Sequence, residues 1–577
     1  MKNIIIHTDE SINITTQEKC KYPVELRKFE AREPGSALKL MEKLVLNIKI
    51  HRPIRADLEF IKRIEHLLKR KIQFQQISIQ GHSLSDITDE ASIKSILKQQ
   101  TQITSFTYDS WHKLFNPSNP NDAAILRLIR ESKTLSKVNL KISLKVDAAA
   151  ELARSFQINK SEAKLCLTAY VFDDEILMYL TTMLCLRALN IVSKPQKPFD
   201  DQTLTNINNL QLDTLQVCVN CFTFSVFPNV TNLILDFQNM ENSVVLDALK
   251  VSLQESSRMV RLKLMGNIVL NSSFRVLSGN LTLQELEIAV RSLDAETHKS
   301  LFEAMAANNH IEILTVDYMD QDLSLGSNYA LKNLSIRDVS CATVMQSIIN
   351  AVVGTQVVSL ALPFGKFNVD LKPVLASNIR ELKSTQALTL FLDLDSIAVL
   401  GSNRIETLDF MCTTNDWLEL ASALNSNQNL RRFHVLIPAE LSDPALAAVL
   451  NAMRSHSGIK SLLIAVPNLE IQLRIADIIR DAPNLEYVTI VLMYDGPLEL
   501  ALFQALKSNN HIVDMHCAIN ASQAPTPEFM DQIYEMICDN KVLCELHLHD
   551  MTTRGRELPL NPKLERHFVA LNLKSTE

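Results

Sequence analysis

The amino-acid sequence predicts an α/β solenoid, in which short parallel strands form one sheet and helices cover its outer side. Three observations predict this fold. One apolar pattern recurs along the chain, amphipathic helical patterns lie between its copies, and asparagine-rich breaks separate many of the helices from the next strand. The copies lie about 26 residues apart on average, a period that is typical of stacked repeat units.

Each strand is predicted by a motif of one apolar residue, two variable residues, a second apolar residue, one variable residue and a third apolar residue. Clear copies begin at Leu283, Ile311, Leu430, Ile459 and Leu485. The final apolar pair alternates with a period of two, which indicates a strand with one buried face. About twenty copies fit this frame, so we expect irregular repeat units over residues 38–550.

The segments before the strands predict helices. In residues 419–424 and 445–453, apolar residues recur at spacings of three and four, which marks an amphipathic helix. Asn308, Asn427 and Asn509 stand in the breaks that follow three of these helices. We expect them to close the helices as C-caps, because asparagine tolerates the left-handed backbone conformation that a cap often needs.

One unit of this kind cannot bury its own apolar face, whereas stacked units can. Strands pack closer together than helices do, so we expect a curved horseshoe with a parallel β-sheet on the concave face and helices on the convex face. Residues 1–37 do not fit the repeat and predict an N-terminal cap. Residues 551–577 predict a C-terminal cap, which would shield the other end of the core.

With these motifs the chain resembles the leucine-rich-repeat family, and within it the ribonuclease-inhibitor and tropomodulin type with helical outer segments. The resemblance implies a horseshoe that binds another macromolecule. The chain departs from the family directly after the strand, where the family usually carries asparagine or cysteine. After Ile288 this chain has Ala289, Val290 and Arg291. This departure puts the family's internal ladder of side-chain hydrogen bonds in question.

The composition excludes several classes of protein. The chain is 46% hydrophobic and 21% charged, so it can bury a large core. Its 11 glycines include no G-x-G and none at P-loop spacing before a lysine, which excludes the standard dinucleotide and phosphate loops. The ten cysteines are irregularly spaced, so we expect reduced thiols rather than a disulfide framework. No apolar run reaches the roughly 18 residues of a membrane span, so we expect no integral membrane association.

These patterns predict a non-enzymatic protein–protein interaction scaffold that binds through the concave sheet and its rim. The residue between the last two apolar positions of each strand faces that surface. The predicted partner-binding residues are Glu287, Thr315, Thr389, Asp409, His434, Thr489, His516 and His547. This row is mostly small and neutral, which favours a packed protein partner, and the nearby aromatic residues Phe391, Trp417 and Tyr487 are candidate anchors. No catalytic, cofactor-binding or metal-binding residue is predicted, and no cofactor.

The sequence also predicts the kind of partner. The net charge of -7 favours a protein partner and no nucleic acid, because nucleic-acid binders usually present a basic face. We expect a monomer. Two alternatives stay open at this point. The histidines His434, His516 and His547 could form a pH-sensitive contact or a metal site, and an enzyme or ligand sensor could lie in residues 1–200, where the repeat is less regular.

The chain begins without the apolar core of a signal peptide, which predicts a cytoplasmic protein. Leucine-rich-repeat proteins without a classical signal also resemble effectors that intracellular bacteria translocate into host cells. The cytoplasm of the producing cell and that of a host cell are therefore the two predicted locations.

Overall fold

The fold is given by a computed structural model of the 577-residue chain. Apart from a few single positions and short gaps, it describes residues 44–50, 74–81, 97, 103–159, 163–170, 174–191, 201–218, 230–240, 251–268, 273–290, 295–386, 389–493, 499–519, 527–550 and 556–557. The chain divides into two compact units, unit 1 (residues 1–268) and unit 2 (residues 269–577). The predicted N-terminal cap lies outside the described residues, as does the predicted C-terminal cap except for Arg556–Glu557.

Unit 1 is built on a sheet in which each described strand pairs in parallel with the next one along the chain. Its strands are β1 Leu44–Ile50, β2 Phe74–Gly81, β3 Ser105–Leu114, β4 Lys137–Ser143, β5 Lys164–Tyr170, β6 Leu186–Ile191, β7 Thr214–Cys218, β8 Asn232–Met240 and β9 Arg261–Ile268. The helices between them are α1 Pro120–Glu131, α2 Val146–Asn159, α3 Asp174–Thr181 and α4 Asp201–Asn208. Strand and helix therefore alternate through the described part of residues 103–218.

Unit 2 repeats this arrangement. Its strands are β10 Glu285–Val290, β11 Ile313–Met319, β12 Asn333–Val339, β13 Ser359–Leu362, β14 Glu381–Ser384, β15 Leu390–Phe391, β16 Thr407–Asp409, β17 Cys412–Thr413, β18 Arg432–Leu436, β19 Ser461–Val466, β20 Tyr487–Leu492, β21 Asp514–Ile519, β22 Glu545–Asp550 and β23 Arg556–Glu557. Its helices are α5 Ala295–Ala307, α6 Ala342–Ala351, α7 Leu394–Gly401, α8 Trp417–Ser426, α9 Asp443–Ser455, α10 Leu469–Asp481, α11 Leu500–Ser508 and α12 Pro527–Ile537. Two short 3₁₀ helices span Ser273–Gly279 and Lys372–Ala376. The strand pairs are parallel except β22 with β23.

This architecture confirms the predicted fold class, an α/β solenoid of the leucine-rich-repeat kind with a long parallel sheet. Helix α10 shows why the elements form where they do. Asn468 caps its N-terminus by accepting a hydrogen bond from the backbone N–H of Ile471 at 3.0 Å. Ile471, Ile475 and Ile479 recur at a spacing of four and are buried, whereas Leu473 is exposed. Within the described part of the chain, no helix has the length and apolarity to cross a membrane.

Asparagines in the turns that lead into the strands hold neighbouring repeats together. This turn ladder consists of Asn280, Asn308, Asn427, Asn509 and Asn540, all of them buried. In Asn427 the Nδ2 amide donates to the backbone oxygens of Leu400 (2.8 Å) and Ile405 (2.9 Å) in the preceding repeat. Its Oδ1 accepts from the backbone N–H of Asn429 at 3.1 Å. One side chain thus satisfies backbone groups of two successive repeats that helices and strands leave unpaired.

The prediction that these asparagines are left-handed C-caps is wrong. The backbone φ angle of Asn427 is −94°, and that of Asn509 is −82°. Among the described residues other than glycine, Asn403 alone has a positive φ, of 61°. The asparagines stand in these turns because their amides can donate and accept at the same time. A ladder of side-chain hydrogen bonds between repeats therefore exists in this chain. It lies in the turn before each strand, whereas the leucine-rich-repeat family usually has it directly after the strand.

His456 occupies the position of a turn-ladder asparagine between helix α9 and strand β19. Its Nε2–H donates to the backbone oxygen of Asn427 at 2.7 Å. Its Nδ1 accepts from the backbone N–H groups of Gly458 (3.0 Å) and Ile459 (3.1 Å). These bonds require the neutral ring, because a protonated Nδ1 cannot accept. A Cβ at Gly458 would lie 2.3 Å from the backbone oxygen of Gln428, so glycine permits this close approach.

We predict that His456 makes the stability of unit 2 depend on pH. Burial lowers the pKa of His456 below its usual 6.5, and the hydrogen bond to Asn427 opposes this only in part. The unfolded chain therefore takes up the proton first, so stability is complete above pH 6.5 and is lost as the pH falls through the folded pKa. His456→Asn, which restores the ladder residue, should lose less stability over that range. The check is urea denaturation of both proteins from pH 7.5 to 5, and parallel curves would contradict the prediction.

Candidate partner-binding face

The predicted binding residues form one row across the sheet of unit 2. In this row, residues of neighbouring strands pair directly from Glu287 through Thr315, Ser335, Ala361 and Lys383 to Asp409. A second series of direct pairs runs from His434 through Leu463, Thr489 and His516 to His547. Asp409 and His434 join the two series, with 3.6 Å between Oδ1 and Nδ1. We call the outward-facing residues of β10–β21 the unit 2 sheet face.

Thr389 does not belong to this row, and its place is taken by Lys383. Strand β14 pairs with β13 on one side and with β16 on the other, which puts Lys383 between Ala361 and Asp409. Thr389 lies just before β15, a short strand that pairs with β17. The sequence analysis predicted the wrong segment because β14 ends in Ser384, at the position where the motif has its third apolar residue. Leu388, Thr389 and Leu390 carry that alternation in the wrong segment.

Glu287 lies in the row but is not free to meet a partner. Its side chain is buried, and one of its oxygens accepts from Nη2 of Arg337 at 2.9 Å. Nη1 of Arg337 donates to Asp317 at 2.7 Å. The guanidinium therefore joins two carboxylates on neighbouring strands. This arrangement gives Glu287 a structural role within the sheet.

The middle of the row is a small polar cluster. Arg432 donates to Oδ2 of Asp409 at 3.1 Å, and His434 stands on the other oxygen of the same carboxylate. Burial lowers the pKa of His434, and although Asp409 acts against this, Arg432 adds to it. The His434 imidazole is therefore neutral near pH 7 and can both donate and accept a hydrogen bond.

His516 lies farther along the row, and its Nε2 is 3.2 Å from Oδ2 of Asp514. The side chain of His547 lies outside the described part of the chain, and so does that of His549. Among the side chains that are described, no three His, Cys, Asp or Glu residues gather as metal ligands would. The proposal of a pH or metal role for these histidines is thus left to experiment.

An apolar area includes Leu463 of the row and residues beside it, and of its members the sequence analysis had named Tyr487 alone. Leu436, Leu463 and Val491 face outward from β18, β19 and β20 and are half-buried. Tyr487, at the start of β20, is 46% exposed, and Met493, directly after the strand, is also exposed. We call these five residues the apolar sheet patch. The signal was present in Leu462-Leu463-Ile464, where an outward position is apolar although alternation predicts a polar residue.

The candidate aromatic anchors differ in their exposure. Tyr487 and Phe391 are exposed, as an anchor requires. Trp417 is only 3% exposed, so its prediction as an anchor is wrong. It is the first residue of α8, and its side chain belongs to the core with those of Leu420 and Leu424.

Comparison with known proteins bears on the fold and on one prediction. No protein-family model matches the chain, and no curated protein matches it. The crystal structure of a TLR13–ssRNA13 complex is similar, with a TM-score of 0.42 and 13% sequence identity, over 87% of this chain and 61% of that chain. That structure is of a complex with RNA, which stands against the expectation of no nucleic-acid partner, and we withdraw this expectation.

Proposed function

We propose that this chain is a non-enzymatic scaffold that binds a protein partner through the unit 2 sheet face. The apolar sheet patch is the observation that supports this most. It places exposed Tyr487 and Met493 beside half-buried leucine and valine side chains on a regular sheet surface. Tyrosine and methionine are enriched in the cores of protein interfaces, and tyrosine is also common among the residues that dominate binding.

The polar groups around the patch fit the rim of such an interface. Arg432 is paired with Asp409, and Lys460 is paired with Glu486 at 2.7 Å. Covering already paired charges costs less than covering single ones, and their pattern can select the orientation of the partner. His434 and Thr489 are the register partners of Leu463 on either side and offer hydrogen bonds next to the patch.

Two narrower statements belong to the same proposal. The α-helical segments between most strands of unit 2 support the ribonuclease-inhibitor and tropomodulin type. The described cysteines Cys166, Cys185, Cys341, Cys412 and Cys517 are free thiols, which supports a reducing cytoplasm. We propose either the producing cell or, for a translocated bacterial effector, a host cell. Recovery of a tagged chain from host cytosol would support the effector proposal, and retention in the producing cell would contradict it.

Affinity capture with the full chain tests whether the unit 2 sheet face holds the partner. In His434→Glu/His516→Glu, two carboxylates replace half-buried imidazoles in the row, and we expect the captured partner to be lost. The matched control is His310→Glu/His511→Glu, the same chemical change at two exposed turn residues. The control should retain the partner. A partner held by both variants would place the binding surface elsewhere and refute the proposal.

A further inference from the structure

The sheet of unit 1 presents an outward face with a strong excess of positive charge. We call the outward-facing described residues of β3–β9 the basic sheet face. Its cations are Lys137, Lys141, Lys164, Arg261 and Lys263, and Arg187 lies at the register shift of β6. Its acids are Asp109 and Asp236. Asp213 and Arg258 flank it with one charge of each sign. The net charge of the chain is -7, so this face differs in sign from the molecule as a whole.

The unit 2 sheet face has the opposite balance. Its described cations are Arg337, Lys383 and Arg432, and its described acids are Glu285, Glu287, Asp317, Glu381, Asp409 and Asp514. The sequence analysis considered only the row between the last two apolar positions, which is mostly small and neutral, and it did not predict the positive charge beside that row in unit 1. The net charge of the whole chain does not reveal this difference between the two sheet faces. It counts every residue, whereas each sheet face contains only every second residue of its strands.

Two of the cations on the basic sheet face stand side by side without an acidic partner. Lys137 and Lys164 are register partners on β4 and β5, and strands of a sheet lie about 4.8 Å apart. Both side chains are exposed, and within the part of the chain that is described neither forms an ion pair. Like charges directly opposite on neighbouring strands destabilise a sheet. The unpaired lysines therefore point to an anion that is bound in the working protein.

The thiol of Cys166 shows that the two ammonium groups act over the same part of the face. Cys166 lies beside them on β5, and burial raises its pKa. The charges of Lys137 and Lys164 both act against that rise, whereas the charge of Asp213 adds to it. Two of the three charges that act on this thiol are therefore those of the paired lysines.

The remaining side chains of the face indicate the chemistry of the anion. Thr107, Asn139, Thr168, Asn190 and Gln216 lie between the cations. Among the side chains that the structure describes in β3–β9, no aromatic one faces outward. Protein interfaces are enriched in aromatic residues and depleted in lysine. Lysine and arginine together with asparagine, glutamine and threonine are the side chains that contact phosphate and sugar.

We propose that the basic sheet face binds the phosphodiester backbone of a single-stranded nucleic acid. Cations occupy three successive strands, at Lys137, Lys164 and Arg187, and then recur on β9. A flexible single strand adjusts to this uneven spacing, whereas a duplex presents its phosphates at fixed intervals. Because none of the described side chains on the face offers an aromatic platform for bases, we expect recognition that rests on charge and is nearly independent of sequence. This activity is separate from protein binding by unit 2.

Fluorescence anisotropy with labelled 20-nucleotide oligouridine and oligothymidine tests the proposal on the full chain. Binding is measured between about 50 and 200 mM KCl, where each phosphate neutralised on a single strand contributes about −0.7 to the slope of log affinity against log salt. Lys137→Gln/Lys164→Gln should reduce the steepness of the slope by about 1.4 and weaken binding at least ten-fold at the lowest salt. The control Lys332→Gln/Lys460→Gln removes two lysines of unit 2 that are paired with Glu312 and Glu486 and should bind as wild type does.

Each outcome decides the proposal. Equal affinity for RNA and DNA supports recognition of the backbone alone, and tighter RNA binding supports it with an added contact to the 2′-hydroxyl. The proposal is overturned if neither oligonucleotide binds, or if both variants lose affinity equally. It is also overturned if the chain binds labelled polyglutamate but neither oligonucleotide. Should the glutamine variant lose its native circular-dichroism spectrum, Lys137→Arg/Lys164→Arg replaces it. A wild-type slope in that variant supports the proposal, and a reduced slope overturns it.

Discussion

Truncating Leu463 and Tyr487 together to alanine should weaken binding of the protein partner by about 30-fold or more, or roughly 2 kcal/mol. Both side chains lie in the apolar sheet patch, on neighbouring strands β19 and β20. In protein interfaces a few large residues in the desolvated centre carry most of the binding free energy, whereas the rim contributes little. Loss of these side chains removes that centre and leaves the strands intact. The dissociation constants of wild type and variant can be compared by titration calorimetry.

Leu473→Ala is the matched control for this measurement. Leu473 is 44% exposed, close to the 46% of Tyr487, but it lies on helix α10, directly after strand β19. We expect binding within two-fold of wild type, because the helix surface lies outside the proposed interface. A control that weakens binding as much as the double variant would move the interface to the helices and contradict the assignment to the sheet.

Asn427→Ala should lower the free energy of unfolding of unit 2 by about 3–5 kcal/mol. The substitution removes three hydrogen bonds of a fully buried side chain and leaves the backbone oxygens of Leu400 and Ile405 unpaired in the interior. An unsatisfied buried polar group costs about 1–3 kcal/mol, which is more than the mean net value of a hydrogen bond. The effect should therefore exceed that of most single substitutions.

The buried Trp417 reports on this unfolding, since helix α8 begins with it and ends just before Asn427. The chain has two tryptophans, so a Trp111→Phe background makes the urea-induced fluorescence change specific to Trp417. Asn425→Ala, on the exposed surface of the same helix, is the control and should be neutral or slightly stabilising. Equal unfolding midpoints for the two alanine variants would show that the turn ladder contributes no stability.

The sequence by itself determined where most strands and helices lie and which strand residues face outward. Both follow from local periodicity: Leu462 and Ile464 alternate with Leu463 on one strand, and Ile471, Ile475 and Ile479 follow a helical spacing. Because every repeat adds one strand in parallel register, the position within the motif also predicted the row that joins His434 to Thr489 and His516.

Other features were decided by the tertiary structure, because they depend on which residues of different repeats meet. The register of β13 with β14 places Lys383 in the row instead of Thr389. Glu287 contacts Arg337, fifty residues away in the chain, and its carboxylate is therefore not accessible to a partner. The hydrogen bonds of Asn427 and the unpaired neighbours Lys137 and Lys164 arise in the same way, between successive repeats. Periodicity fixes the face on which a side chain lies, but only stacking brings it to the partners that determine its hydrogen bonds and its charge environment.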